Sequence, residues 1–164
     1  MHETQLTVRR ATLADVPALV ELRLANAEAH LALDADTYRV PQRAAVVRHF
    51  AGTLADEVGR DGVLLAEDRE GRVVGMIEVL PQSAPPEHQI LRPVPSAQVH
   101  TVVLPDARRL GVGSTLLHAA ERWATERGIR YLSAGIYHRN LEAVRFYSRH
   151  GYTEAGLSLG KSVD

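Results

Sequence analysis

The sequence predicts one α/β domain spanning residues 1–164, with a mixed sheet and helices on both of its faces. Three observations point to it. Short apolar stretches of strand length alternate with longer segments whose apolar residues recur every three or four positions, in the order β-α-α-β-β-β-α-β-α-β. Residues 101–120 pass from strand to helix through a proline break and a Gly-x-Gly turn. The chain is 164 residues long, 45% hydrophobic and 24% charged, which are globular values and enough for one substantial core.

Residues 6–10 read as a first strand, with Leu6 and Val8 on one face. Thr12 and Asp15 have the spacing of a capping box. The helix that follows places Val16, Leu19, Val20, Arg23 and Ala27 along one side. Residues 30–41 read as a loop or broken helix, closed by Pro41 in the first turn of a second helix. That helix is expected to face the core with Ala44, Val47, Ala51, Leu54 and Val58. Residues 60–62 turn the chain into a strand at 63–67, a hairpin loop at 68–71 and a paired strand at 72–80. Residues 81–97 hold five prolines and resist regular structure; they read either as a wall beside a binding site or as a surface excursion. A central strand at 98–104 follows, then a helix at 114–127 that buries Leu116, Leu117, Ala120 and Ala124 and stops at Gly128. A strand at 129–137, a helix at 140–150 ended by Gly151, and a final strand at 152–159 complete the chain.

The stretch that carries chemistry is the break between the central strand and its helix. Pro105 cannot continue a strand ladder. Beyond it come Arg108, Arg109, Leu110, Gly111, Val112, Gly113 and Ser114, the last opening a helix. The first N–H groups of a helix have no partner within it, and the helix dipole adds roughly half a positive charge there. Such a mouth suits a phosphate. The two glycines admit close backbone approach, and the two arginines add charge and donors. A dinucleotide fingerprint needs a third glycine where Leu116 stands, and a Walker loop needs Lys where Ser114 stands. An ordinary surface turn with two glycines is the remaining alternative.

Arg108, Gly111 and Gly113 resemble the Arg/Gln-x-x-Gly-x-Gly/Ala loop that holds acyl-CoA in the GNAT superfamily of N-acetyltransferases. Asn140, Ala143, Phe146, Tyr147, Gly151 and Tyr152 resemble the Asn-x-x-Ala-x-x-Phe-Tyr-x-x-x-Gly-Phe/Tyr segment that follows it in that family. The likeness is strong over residues 99–152. It implies a mostly antiparallel GNAT-like sheet and acetyl-CoA as cosubstrate. It also implies pantetheine lying along Thr101, Val102 and Val103 like an added strand, and a pyrophosphate on the amides from Arg109 to Ser114. By the same resemblance Asn140 contacts the cofactor arm, Ala143 matters by being small, and Tyr147 is the acid that protonates the leaving thiolate.

The spacing itself supports a shared face: Asn140, Ala143 and Tyr147 stand at i, i+3 and i+7 of one helix. The base is less legible. Some relatives in this family carry a Glu five residues before the helix Asn, where this chain has Gly135. His100 on the central strand, Glu78 on its neighbour and His88 in the proline-rich segment are the candidates, with a water relay as a fourth route. The acceptor is expected to be a primary amine, on a small molecule or on a peptide or protein N-terminus. A regulatory domain that binds acyl-CoA without catalysis is the alternative.

Composition trims the other classes. A net charge of −1 gives no general attraction to nucleic acid or anionic membrane. With no cysteine there is neither a disulfide nor a thiolate nucleophile, and the eight histidines show no close ligand spacing, so no metal site is expected. The N-terminal ten residues have no apolar signal core and no apolar run nears the length of a membrane span, which gives a cytoplasmic expectation. Exposed sheet edges leave a homodimer open.

Overall fold

In the computed structural model, residues 5–56 and 58–163 are described; the ends of the expected 1–164 domain and the first residues searched for a signal core lie outside them. Strands β1 (Thr7–Arg10), β2 (Gly62–Glu67), β3 (Val73–Pro81), β4 (Ser96–Val103) and β5 (Tyr131–Ser133) form one sheet in the order β1-β2-β3-β4-β5. The first four pair antiparallel, and β4 pairs β5 in parallel. Helices α1 (Val16–Leu33) and α2 (Arg43–Ala55) lie in sequence between β1 and β2; α3 (Val112–Glu126) connects β4 to β5, and α4 (Leu141–Arg149) follows.

Strand alternation sorts two cores. On one face Leu64, Ala66, Ile77, Val79, Ala97 and Val99 meet Leu116, Leu117 and Ala120 of α3 and Tyr147 of α4. On the other, Val63, Leu65, Met76 and Val102 meet Leu19, Val20 and Leu22 of α1 and Val46 and Phe50 of α2. Close packing needs two glycines on the α3 face. A Cβ at Gly75 would come within 2.9 Å of Val112, and one at Gly62 within 2.8 Å of Trp123.

Several expectations are corrected. The stripe assigned to α2 was off: Val46 and Phe50 are buried, whereas Ala44 and Val47 are exposed and Val58 lies beyond the helix end. Helix α1 runs to Leu33, so His30 and Leu33 belong to its last turns and not to a loop. Helix α3 starts two residues earlier than expected, capped by Gly111. Strand β5 keeps only three residues of the stretch 129–137. The strand expected at 152–159 does not form: residues 153–163 are exposed, with Leu157 86% and Leu159 85% accessible. Their apolar alternation finds no partner strand among the described residues.

Candidate active site

The sheet opens where β4 leaves β5. Their pairing covers only Ser96 to Gln98 of β4, so from Val99 onward that side of β4 is bare. Which amides face the gap follows from alternation. Leu104 N–H donates to the Val74 carbonyl at 2.9 Å, so the even residues of β4 bond β3. The Pro95 carbonyl accepts from Arg130 N–H at 2.8 Å, so the odd residues face the β5 side. Val103 therefore presents its N–H and C=O to the gap and Thr101 its C=O, while the Thr101 N–H is directed at the Tyr147 hydroxyl. Val102, expected to do the same, spends its amide on β3.

A cleft of about 540 Å³ runs through this gap. One wall holds Thr101, Val103, the loop from Arg108 to Ser114, and Asn140, Ala143 and Tyr147 of α4; the other holds Ala25, Asn26, Ala29, His30 and Leu33 of α1. The sequence-level candidates of the loop and of α4 are thus brought together, Leu110 excepted, which is half exposed and outside the lining.

At the mouth of α3, Thr115 N–H is the first to bond within the helix, to the Gly111 carbonyl at 3.0 Å, which leaves the N–H groups of Val112, Gly113 and Ser114 unpaired in it. The two glycines serve different needs. Gly111 has φ +79°, a left-handed turn that a side chain strains, with open space around it. Gly113 lets α3 approach α4: a Cβ there would sit 3.1 Å from the Phe146 ring. Arg109 also adopts positive φ, at 65°. Arg108, Arg109 and Arg149 line the cleft against a single carboxylate, Glu142, which lies 4.0 Å from Arg108. The balance there favours an anion.

Tyr147 is 7% exposed, and its hydroxyl shares a hydrogen bond of 2.8 Å with Thr101 Oγ1. Burial raises its phenol above the ordinary value near 10, partly opposed by the Thr101 bond. The group is therefore a proton donor across the neutral range. Asn140 caps α4, its Oδ1 accepting from Ala143 N–H at 3.2 Å, and its amide nitrogen has no partner among the described residues.

The expected bases are placed differently. Glu78 and His100 are register partners on the face covered by α1 and α2, and neither lines the cleft. Glu78 is 2% exposed, accepts from Arg23 and lies 3.9 Å from His49. His88 sits in the segment between β3 and β4, of which no residue lines the cleft. That segment joins the strands at the paired end of the sheet and does not line this cleft. At the end of α1, the Asp34 carboxylate accepts from the Tyr137 hydroxyl at 2.5 Å, the Thr37 hydroxyl at 2.8 Å and the N–H groups of Asp36 and Thr37. The Tyr137 bond, then that of Thr37, holds its carboxyl at about 2. Sequence reasoning gave no role to Asn26 or His30. Their i, i+4 spacing at a helix end was the available signal, hidden by reading residue 30 as the start of a loop.

One cleft thus holds a strand edge left bare by a splayed neighbour, a helix mouth with unpaired N–H groups and a buried phenol. Residues 27–152 match the Acetyltransferase (GNAT) family, and the chain belongs to it. Members of that family are acyl-CoA-dependent acyltransferases whose donor is acetyl-CoA. A putative phosphinothricin acetyltransferase of Bacillus subtilis is 33% identical over 96 residues, covering 58% of this chain and 56% of the relative. The match thus spans little more than half of that relative's length. Among solved structures, a tetramutant of the BH1408 protein of Bacillus halodurans superposes with TM-score 0.82 at 18% identity, covering 96% of this chain and 99% of that one. An aminoglycoside N-acetyltransferase, AAC(6')-Iy, in complex with CoA superposes with TM-score 0.75 at 17% identity, covering 99% and 97%. Among the described residues no helix is long and apolar enough to cross a membrane.

Proposed function

We propose that residues 1–164 act as one N-acetyltransferase domain that moves an acetyl group from acetyl-CoA to a primary amine by direct attack in a ternary complex. The observation that carries this is the buried Tyr147 hydroxyl, held by Thr101 in the same cleft as the bare N–H groups of α3. In this reading the pyrophosphate rests on the amides of Val112, Gly113 and Ser114, with Arg108 and Arg109 supplying charge. Pantetheine extends along the free edge of β4 and pairs with Thr101 and Val103 as an added strand. Asn140 offers its amide nitrogen to the cofactor arm, and Ala143 leaves room for it. A backbone N–H of β4 meets the oxygen that gains charge as the amine attacks. The departing sulfur takes the Tyr147 proton.

The acceptor class follows from charge cost. An alkyl ammonium of pKa about 10.4 is neutral in about 1 molecule in 2,500 at pH 7, a penalty of about 4.6 kcal/mol, whereas an α-amine near 7.8 costs only about 1. The site must therefore either take a weakly basic amine or supply a base. The names of the relatives suggest phosphinothricin and an aminoglycoside as first acceptors, with a peptide N-terminus as a third.

A binding-only domain is the second reading. It draws on the exposed Gly135, which brings no carboxylate, and on Glu78, which is engaged by Arg23. Two measurements separate the readings: calorimetry with CoA, and thiol release from acetyl-CoA with each of the three amines. Heat with CoA and amine-dependent thiol release support transfer. Heat without release from any amine supports binding alone, and no heat removes both.

A further inference from the structure

We infer that His30 is the general base that takes the proton of the acceptor ammonium. The inference rests on the acetyl-transfer reading above. His30 sits in the last turn of α1 and lines the same cleft as Thr101 and Tyr147. Its Nδ1 lies 2.9 Å from the backbone carbonyl oxygen of Asn26. A carbonyl can only accept, so Nδ1 carries the hydrogen of the neutral ring and Nε2 carries the lone pair. Nε2 has no protein hydrogen-bond partner among the described residues.

The ring is also held in place. Tyr38 packs edge-on against it with centroids 4.9 Å apart, and Tyr137 packs on Tyr38 at 5.2 Å. The Tyr137 hydroxyl is anchored in turn on Asp34, the residue that ends α1. An oriented imidazole with one nitrogen committed and the other free is the arrangement that general-base catalysis needs.

The competing bases are each accounted for. Glu78 is taken by Arg23, Asp34 by four donors, and Glu142 stands by Arg108. His100 does not line the cleft. The charged and titratable groups around the imidazole are Tyr38, in ring contact with it, Asp34 at the end of the same helix, and Tyr147, Arg108, Arg109, Arg149 and Glu142, which line the same cleft.

The step balances as follows. The ammonium gives one proton to Nε2. The freed lone pair attacks the thioester carbon, so a C–N bond forms while the C–S bond breaks. Tyr147 gives its proton to the sulfur and regains one from the nitrogen. The imidazolium releases its proton to water. One amide, one thiol and one proton result.

The test uses the full chain, the best of the three acceptors above, and His30→Asn, whose amide can still donate to the Asn26 carbonyl. We expect CoA affinity unchanged and kcat/KM for the amine about 10²-fold lower at pH 7. The gap should close as pH approaches the pKa of the amine, which then arrives neutral. A second measurement needs no acceptor: nitrogen NMR of the histidines should report His30 protonated at Nδ1. An Nε2-protonated ring overturns the proposal. So does a His30→Asn enzyme with an unchanged profile, or one whose loss is the same at every pH, which marks a structural role. If His100→Gln removes the pH dependence and His30→Asn does not, the base is His100. If the wild type turns over none of the three amines, the transfer reading falls and this one with it; turnover unaffected by His30→Asn sinks this one alone.

Discussion

Replacing Tyr147 by Phe isolates one proton. The ring stays, so its edge contacts with Phe146 at 5.0 Å and Tyr152 at 5.3 Å persist. What goes is the hydroxyl and its 2.8 Å bond to Thr101. Thr101 is only half-buried, so its own hydroxyl can turn to water, and the loss should be about 1 kcal/mol of stability. For a chain of this length that is a fall in Tm of about 2–4 °C. The kinetic effect is larger. A thiol of pKa about 8.5 expelled as its anion at pH 7 sits about 2 kcal/mol above its protonated form, which sets a floor of about 30-fold. The site is drier than water and the donor is fixed, so the expected loss in turnover is 10²–10³-fold, within the usual range for a positioned acid. Because burial raises the phenol above 10, the wild type should keep this donor protonated through that pH. Thiol release from acetyl-CoA reports turnover, calorimetry reports CoA binding, and a thermal melt reports folding. The reasoning is refuted if turnover is unchanged, or if it falls only as far as CoA affinity does.

The two loop glycines should fail differently. Gly111→Ala is strained by its φ of +79° and should cost about 1 kcal/mol, read as a melting shift, with Phe146 undisturbed. Gly113→Ala drives a methyl to within 3.1 Å of Phe146, so the ring must give way; it should cost about 1–3 kcal/mol and also slow turnover, because Phe146 adjoins Tyr147. Asp15, bonded by both terminal nitrogens of Arg9 at 2.7 and 2.8 Å, has its carboxyl held at about 2 by Arg9. Its folded value lies below the unfolded one, so its stabilisation is present above pH 4 and lost as pH falls through 2. Asp15→Asn should cost about 1–2 kcal/mol at pH 7 and flatten the acid part of the stability curve, measured by denaturant unfolding at a series of pH values. Tyr137→Phe removes the donor that most lowers the Asp34 carboxyl. Amides of residues 34–38 should then exchange faster with solvent, and unchanged exchange argues against a tethering role.

How much of this was legible depended on whether a residue's partner lay near in sequence. The loop from Arg108 to Ser114 and the α4 face of Asn140, Ala143 and Tyr147 could be read because a turn and a helix fix their own geometry. The strands β2 to β4 could be read from alternation and turn residues. The base could not, since it depends on how far α1 runs and on Tyr38 and Tyr137, which arrive from different loops. Glu78 looked available because no pattern announces that Arg23, 55 residues away, will take it. The α2 stripe was misassigned because Val47 and Ala51 fit a three-and-four spacing as well as Val46 and Phe50 do; only the size of Phe50 and the shape of the core choose between them. The last strand failed because alternation at Leu157 and Leu159 describes a strand's face and says nothing about whether an edge exists to receive it.

Splitting one strand pair does more than make room for a cofactor. Where β4 parts from β5, the sheet stops being a barrier between its two faces, and groups from both faces reach the same cleft. Thr101 and Tyr147 come from the α3 and α4 side; Asn26 and His30 come from the α1 side. In the proposed reaction this keeps acid and base apart, with the thioester between them. A protonated imidazole beside Tyr147 would stabilise its phenolate and deplete it as a donor. Across the gap, the two groups act at different stages of the bond exchange: the base takes a proton from the nitrogen before attack, and the phenol gives one to the sulfur after it and only then recovers one from the nitrogen. The layout predicts that His30→Asn and Tyr147→Phe act on separate steps. Their losses should add in free energy once one step limits both variants, and strong coupling between them would show that the two groups share a proton after all.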